Sequence, residues 1–556
     1  MVAAYDRRGS ARWIAPAGIL CVYVLLLAIT ASVDPGDTRD YANSITERFA
    51  GKDLYFWESG HLLWRPLGFL LVLVAHPVHA GSSSMASYAD VVHALSAISI
   101  AAGAVALLAL FAFQRRMGVR ALPAAVATTA LALTCAFLDY AQSGTAYIPA
   151  LAMLIVALWA LAVDDPSRWR GLVPGVALAA SVLLWLPMMF VVPIIALSPL
   201  ILRGDDRRRR VTAFAVCVLS GALVVAAYVS VAAIKQIHSI AAFRAWIAEA
   251  THGIRDSGGV SRAAIGFARS VSSTKDLGLT AKRHLLGDPY APATMADVLR
   301  AGLYRVVIFY AALGALMLWL ALRRQWRVLG YLAVTAVPVL GMAIAWQGGD
   351  LERYLALFPA LFLAVGVALS SMPRRWGVLC TAVMIAMFGA FNLPDYSRAT
   401  VARTCDALTG RLLAVSAEPG RKKLLVTMTV DELTAMRGRC PDARVLDRPD
   451  LPAVYGVFAP HVSEAAQWRR SFADRAQSQW ESGGSVWISK GLLQPAPPAA
   501  WNWAEGDDKR VRWRDFPAFF HRFTLGGLGK GANSFVEMVE SPRNIAILDS
   551  ARRTAR

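Results

Sequence analysis

Runs of about 20 apolar residues, each long enough to cross a ~30 Å hydrocarbon layer, recur along the first two thirds of this chain. In lipid every backbone polar group needs an internal partner, so a chain with this pattern folds as a polytopic helical membrane protein. Of the 556 residues 56% are hydrophobic and only 17% charged, which fits that class. The net charge of +19 raises the question of nucleic acid, but its distribution answers it. The arginines gather at Arg7, Arg8 and Arg12, at Arg115, Arg116 and Arg120, at Arg168 and Arg170, at Arg203 and Arg207 to Arg210, at Arg323, Arg324 and Arg327, and at Arg374 and Arg375. Each group lies beside the end of an apolar run, the positive-inside pattern, with a secondary pull toward anionic lipid. No nucleic-acid partner is expected.

Pinning those clusters to the cytoplasm gives eleven spans, near residues 13–32, 86–113, 121–138, 145–163, 171–186, 188–202, 211–233, 303–322, 328–345, 354–371 and 376–393. The N-terminus is then cytoplasmic and the C-terminus outside. The first span follows Arg7, Arg8 and Arg12 without a small-residue cleavage site, so it reads as a retained helix. Pro187 marks a tight outer turn between two short spans. Residues 61–78 are apolar but short, and they contain Arg65, Pro66, His76 and Pro77. A full span there would turn every later arginine cluster outward, so the segment reads as an interfacial or re-entrant helix packed on protein; an ordinary twelfth span is the alternative.

This topology puts three large non-spanning pieces on the outer side: the loops 33–85 and 234–302 and the tail 394–556. The expected domains are a membrane domain over 1–393 and an extracytoplasmic α/β domain over 394–556. In the tail, Lys423 to Val430 and Gly484 to Ser489 read as strands, and Ser463 to Gln479 as a helix. Trp501, Trp503 and Trp513 suit core packing or interface anchoring better than sugar stacking. Cys21, Cys135, Cys217 and Cys380 lie in spans as small apolar fillers. Cys405 and Cys440 share the tail, where an oxidising compartment permits a disulfide between them, with two free thiols as the alternative. Neither a CxxC pair nor HExxH is present.

Chemistry concentrates in two places. The run Asp34-Pro35-Gly36-Asp37-Thr38-Arg39-Asp40-Tyr41 brings three carboxylates together just past the first span, where mutual repulsion favours protonation of at least one. A carboxylate at a membrane surface can take a proton from an acceptor hydroxyl. A lipid phosphate leaving group needs charge neutralisation, for which His61, Arg65, Arg353 and the set Arg262, Arg269, Lys275, Lys282, Arg283 and His284 are candidates. Each has a bland alternative: Asp37 or Asp40 capping a helix near Tyr41, residues 262–284 forming an amphipathic helix on anionic lipid, Arg353 snorkelling to headgroups. The second place is Gln347-Gly348-Gly349-Asp350-Leu351-Glu352-Arg353-Tyr354, an ionisable group at the outer end of two spans.

These segments resemble the GT-C superfold of membrane glycosyltransferases, which includes the protein O-mannosyltransferases and the lipid A aminoarabinose transferase. Asp37-Thr38-Arg39-Asp40-Tyr41-Ala42 is similar to the Asp-Glu-x-x-Tyr-Ala type motif after helix one, His61 to Pro66 to the His/Lys-Pro-Pro segment, and Glu352-Arg353-Tyr354-Leu355 to a late Arg-Tyr-Leu. The resemblance covers about residues 1–393. It implies an enzyme of the cell envelope that moves a sugar from a polyprenyl-phosphate donor to a lipid, glycan or protein hydroxyl at the outer face of a bacterial-type inner membrane, with inversion. Asp37 best matches the catalytic acid, with Asp40 the alternative; His61, Arg65, Lys275, Arg283, Glu352, Arg353 and Tyr354 would bind donor or phosphate. Thr38 stands where the family has a second acid and only Pro66 stands in the double-proline position, so a divalent metal is allowed but not required. Two rivals stand beside this reading. A lipid-linked saccharide transporter or flippase would place charges at mid-membrane depth and show an internal repeat, and a non-catalytic component of polysaccharide assembly would tolerate loss of Asp37.

Overall fold

The computed structural model describes residues 11–33, 37–49, 51, 56–75, 87–163, 171–249, 259–274, 277–287, 292–402, 423–427, 453–457, 465–496, 512–526 and 535–553. Seven of the described helices are long and apolar enough to cross a membrane: Tyr88–Arg116, Leu186–Arg203, Arg207–Ile234, Met295–Leu322, Trp326–Ala345, Leu351–Ser371 and Arg374–Tyr396. The chain is a multi-pass membrane protein. Shorter apolar helices, Trp13–Ile29, Ala121–Ala132, Tyr147–Leu161 and Leu172–Leu184, fall at four further expected spans. On the helix Arg207–Ile234 the exposed side chains Val211, Phe214, Val218, Val225 and Val229 recur at helical spacing, an apolar stripe suited to lipid.

Two expected spans are broken, and both breaks matter below. The run 121–138 divides at Leu133 and Thr134, because Thr134 leaves helical geometry (ψ 150°) and its side chain accepts from the Phe137 N–H to start a new helix, Cys135–Tyr140. Trp185 (φ −150°, ψ 104°) ends the helix Leu172–Leu184, and a 3₁₀ turn over Leu186–Phe190 follows, so the turn expected at Pro187 is present. The segment after residue 61 forms the helix Trp64–Ala75, whose 12 residues span about 18 Å, well short of the hydrocarbon layer. Trp64, Arg65, Gly68 and Val72 are buried, while Leu70 and Val74 are exposed.

The described chain forms two compact units, one over 1–274 and 304–398, the other over 275–303 and 399–556. The boundary falls at Arg398, because the last apolar helix runs on to Tyr396 with Pro394 in its final turn, and residues 275–303 group with the tail. The second unit contains a sheet of β1 (Lys423–Thr427), β2 (Ala453–Gly456), β3 (Ser485–Ser489) and β4 (Phe535–Met538) in the order β2-β1-β3-β4. The first three strands are parallel and β4 is antiparallel to β3. Val426, Val486 and Ile488 from the sheet pack with Trp468 and Phe472 of the helix Ala465–Glu481 and with the turn around Phe516, Phe519 and Phe520. Trp513 belongs to that core, 1% exposed. Trp501, Trp503, Cys405 and Cys440 lie outside the described residues, whereas Cys21, Cys135, Cys217 and Cys380 are unpaired.

Candidate active site

Asp37 sits immediately before the helix Thr38–Phe49, and its carbonyl accepts from the Tyr41 N–H at 3.0 Å. Its carboxylate is half-buried and held on one oxygen: Oδ2 accepts from the Tyr147 hydroxyl at 2.6 Å and from the Tyr41 hydroxyl at 3.2 Å. Asp40 is exposed in the first helical turn, where a negative charge complements the helix dipole. Asp34 lies outside the described residues, so the expected repulsion among the three acids falls partly on undescribed chain. Tyr41 is fully enclosed, and burial, followed by the Asp37 charge, pushes its hydroxyl well above the ordinary tyrosine range.

His61 lies edge-on to both Tyr41 (5.3 Å between ring centres) and Tyr147 (5.7 Å). Its placement follows from the break at Trp185. Pro187 has no N–H to give the Leu183 carbonyl, and the 3₁₀ turn directs the Met188 N–H to Trp185 rather than to Leu184. Both freed carbonyls are taken up by the segment after the first loop: Leu183 O accepts from the Leu63 N–H at 3.0 Å, and Leu184 O meets His61 Nδ1 at 2.9 Å. A carbonyl only accepts, so the proton is on Nδ1, leaving Nε2 with its lone pair. Burial lowers the His61 pKa despite the opposing pull of Glu58 and Asp37. Arg65, 2% exposed, forms a buried ion pair with Glu58 and stacks over the Tyr41 ring at 4.7 Å.

The late motif arrives from a different direction. Gly348 and the helix Val260–Val271 touch so closely that a Cβ at Gly266 would lie 1.9 Å from the Gly348 carbonyl oxygen. The Tyr354 hydroxyl bridges the same junction, 2.7 Å from Ala263 O and 2.6 Å from Gly348 O. Arg353 lies between two acids, 3.6 Å from Glu352 and 3.8 Å from Asp350, with its guanidinium 3.9 Å above the Trp346 ring and one amino group donating to Gln347 Oε1. Burial raises the Asp350 pKa, ahead of the lowering by Arg353 and by Arg262. Arg262 and Arg269, phosphate candidates with a lipid-lying helix as the alternative, are on a helix with a buried face against this turn, and both act electrostatically on Asp350. Arg262 stays exposed. Lys275 is outside the described residues, and Arg283 lies on the helix Leu277–Leu286 of the second unit.

What joins the two halves is a segment that sequence reasoning passed over, residues 139–147. Asp139, 1% exposed, accepts on Oδ1 from Ser32 Oγ (2.7 Å) and from the Val33 N–H (2.8 Å), fixing the chain as it leaves the first helix. Tyr140 donates to Glu352 Oε2 at 2.7 Å. Gln142 donates to Thr30 Oγ1 at 2.9 Å, and the Gly144 carbonyl accepts from Trp64 Nε1 at 2.9 Å. Tyr147 then reaches Asp37, and its ring lies 4.9 Å from that of Tyr140. One buried turn therefore grips all three motif segments. The available signal was a polar interruption, Asp139-Tyr140-Ala141-Gln142-Ser143-Gly144-Thr145, between two strongly apolar runs. Among the described residues no three His, Cys, Asp or Glu side chains gather to hold a metal ion.

No protein-family profile and no curated protein matches the sequence. Among solved structures, the chain is similar to ArnT from Cupriavidus metallidurans bound to undecaprenyl phosphate, with 15% identity and a TM-score of 0.51 over 96% of this chain and 99% of that one. The apo form of the same protein gives 15% identity and a TM-score of 0.52, over 97% and 99%. An oligosaccharyltransferase from Archaeoglobus fulgidus is more distant, at 12% identity and a TM-score of 0.47 over 86% of this chain and 68% of that one. Along nearly its whole length, this chain has the GT-C fold of ArnT.

Proposed function

We propose that the protein is a membrane glycosyltransferase that moves a sugar from a polyprenyl-phosphate donor to an acceptor hydroxyl at the outer face of the membrane, with inversion at the anomeric carbon. The observation that carries this reading is the convergence on Asp37: an accessible carboxylate at the head of a membrane bundle, held by Tyr147 from 110 residues away and joined through Tyr140 to Glu352 and Arg353. In the reaction, Asp37 takes the proton of the acceptor hydroxyl as its oxygen attacks the anomeric carbon. The bond from that carbon to the phosphate oxygen breaks, and polyprenyl phosphate departs with the electron pair.

Arg353 and the exposed Arg262 are the cations assigned to the departing phosphate, and Arg65, paired with Glu58, lies over the Tyr41 ring at the other side of the site. Asp40 and His61 line the approach. Glu352 and Tyr354 hold Arg353 and its turn in place. In this reading the N-terminus and the arginine clusters are cytoplasmic, which makes the site an outer-face one and the tail periplasmic. Purified protein in lipid, given labelled polyprenyl-phosphate sugars and a membrane extract as acceptor source, tests the reading. Label should move to an acceptor from the lipid-linked donor, not from the free sugar, and with reversed anomeric configuration. No transfer from any lipid-linked donor by folded protein would favour the transport reading instead.

A further inference from the structure

Asp37 is held asymmetrically. Both hydroxyls that reach it, Tyr147 at 2.6 Å and Tyr41 at 3.2 Å, converge on Oδ2, and Oδ1 takes no partner among the described residues. Neither phenol is free to swing. Tyr147 is packed edge-on by Tyr140 at 4.9 Å, Trp185 at 5.3 Å and His61 at 5.7 Å. Tyr41 lies against His61 at 5.3 Å and beneath the Arg65 guanidinium at 4.7 Å, and that guanidinium is fixed by Glu58. Donors locked by packing before substrate arrives orient a charge without reorganising during the reaction.

We infer that Tyr147 and Tyr41 are positioning residues for Asp37: they occupy Oδ2 and leave Oδ1 as the oxygen that takes the acceptor's proton, with Tyr147 the stronger clamp. The inference rests on the glycosyltransferase reading above. The proton passes from the acceptor oxygen to Oδ1, the acceptor oxygen bonds the anomeric carbon, and the phosphate oxygen leaves with the bonding pair. Because both phenols are buried, Tyr41 1% and Tyr147 7% exposed, their loss should slow the chemical step and leave donor binding alone. The two distances set an order, since the shorter, charge-assisted bond is the stronger.

The test uses the full chain in lipid. Tyr147→Phe and Tyr41→Phe are compared with wild type for kcat, KM for the polyprenyl-phosphate sugar, and thermal unfolding. Both changes keep the ring and its packing. Tyr147→Phe should lower kcat about 10- to 100-fold, the size of effect found when a hydrogen bond that orients a metal ligand from behind is removed, with KM unchanged. Tyr41→Phe should show the same split with a smaller loss. Wild-type kcat in folded Tyr147→Phe, a loss seen in KM instead of kcat, or a larger loss in Tyr41→Phe would overturn the inference. Each of those results needs an active wild type, so they are distinct from failure of the transferase reading, in which wild type itself transfers nothing.

Discussion

His61 shows how one residue's chemistry follows from a proline elsewhere. Pro187 frees the Leu183 carbonyl and the 3₁₀ turn around it frees that of Leu184, Leu63 and His61 take them up, and the imidazole is thereby fixed in one tautomer between Tyr41 and Tyr147. Burial holds its pKa below the unfolded value of about 6.5. The unfolded chain therefore binds the proton first as pH falls, so stability is complete above about 6.5 and is lost progressively through the folded pKa below it. Thermal unfolding followed against pH should show this acid-side loss, and His61→Gln should flatten it. An unchanged acid slope in His61→Gln would mean that another group carries it.

At the scale of elements, what the sequence made legible was the periodic part. Long apolar runs bounded by arginines mark spans, and the three motif segments are visible as polar residues at apolar boundaries. The short helix Trp64–Ala75 was readable from Arg65 and Pro66. The breaks at Thr134 and Trp185 were not readable in full, because hydropathy averages across a broken helix as smoothly as across a whole one. Their freed carbonyls are what tertiary partners use: Leu133 O, for example, accepts from Asn392 Nδ2 at 2.7 Å, while the other hydrogen of that amide goes to Val271 O at 2.8 Å. Residues 139–147 escaped notice for a related reason. A short polar turn between two spans reads as solvated loop, and only contacts distant in sequence show it buried and holding Asp37, Glu352 and Trp64. The close approach of the helix Val260–Val271 to Gly348 was equally hidden. Gly266→Ala should destabilise by about 1–3 kcal/mol and impair turnover, since its Cβ meets backbone. Gly330→Ala, in a helix with open space around it, should be neutral or slightly stabilising in thermal unfolding. Equal effects at the two positions would argue against the packed junction.

At the scale of the whole molecule, the positive-inside pattern of the arginines predicts an orientation that labelling can test. Arg203, Arg207 to Arg210 and Arg323, Arg324 and Arg327 cluster at helix ends, whereas Asp37, Glu58, Asp350 and Glu352 gather where the motif segments meet. A single cysteine introduced at Asp206 should be shielded from a membrane-impermeant thiol reagent in intact cells, and one at Ser541 should be labelled. The reverse pattern would invert the topology and put the site on the cytoplasmic face. The central claim is that Asp37 is the base of a sugar transfer, and the most direct measurement is turnover of a labelled polyprenyl-phosphate sugar by wild type and Asp37→Asn. Both would be reconstituted in lipid and matched for thermal unfolding and for binding of polyprenyl phosphate. Loss of transfer with binding and folding intact is the predicted result; transfer by Asp37→Asn at the wild-type rate would contradict it.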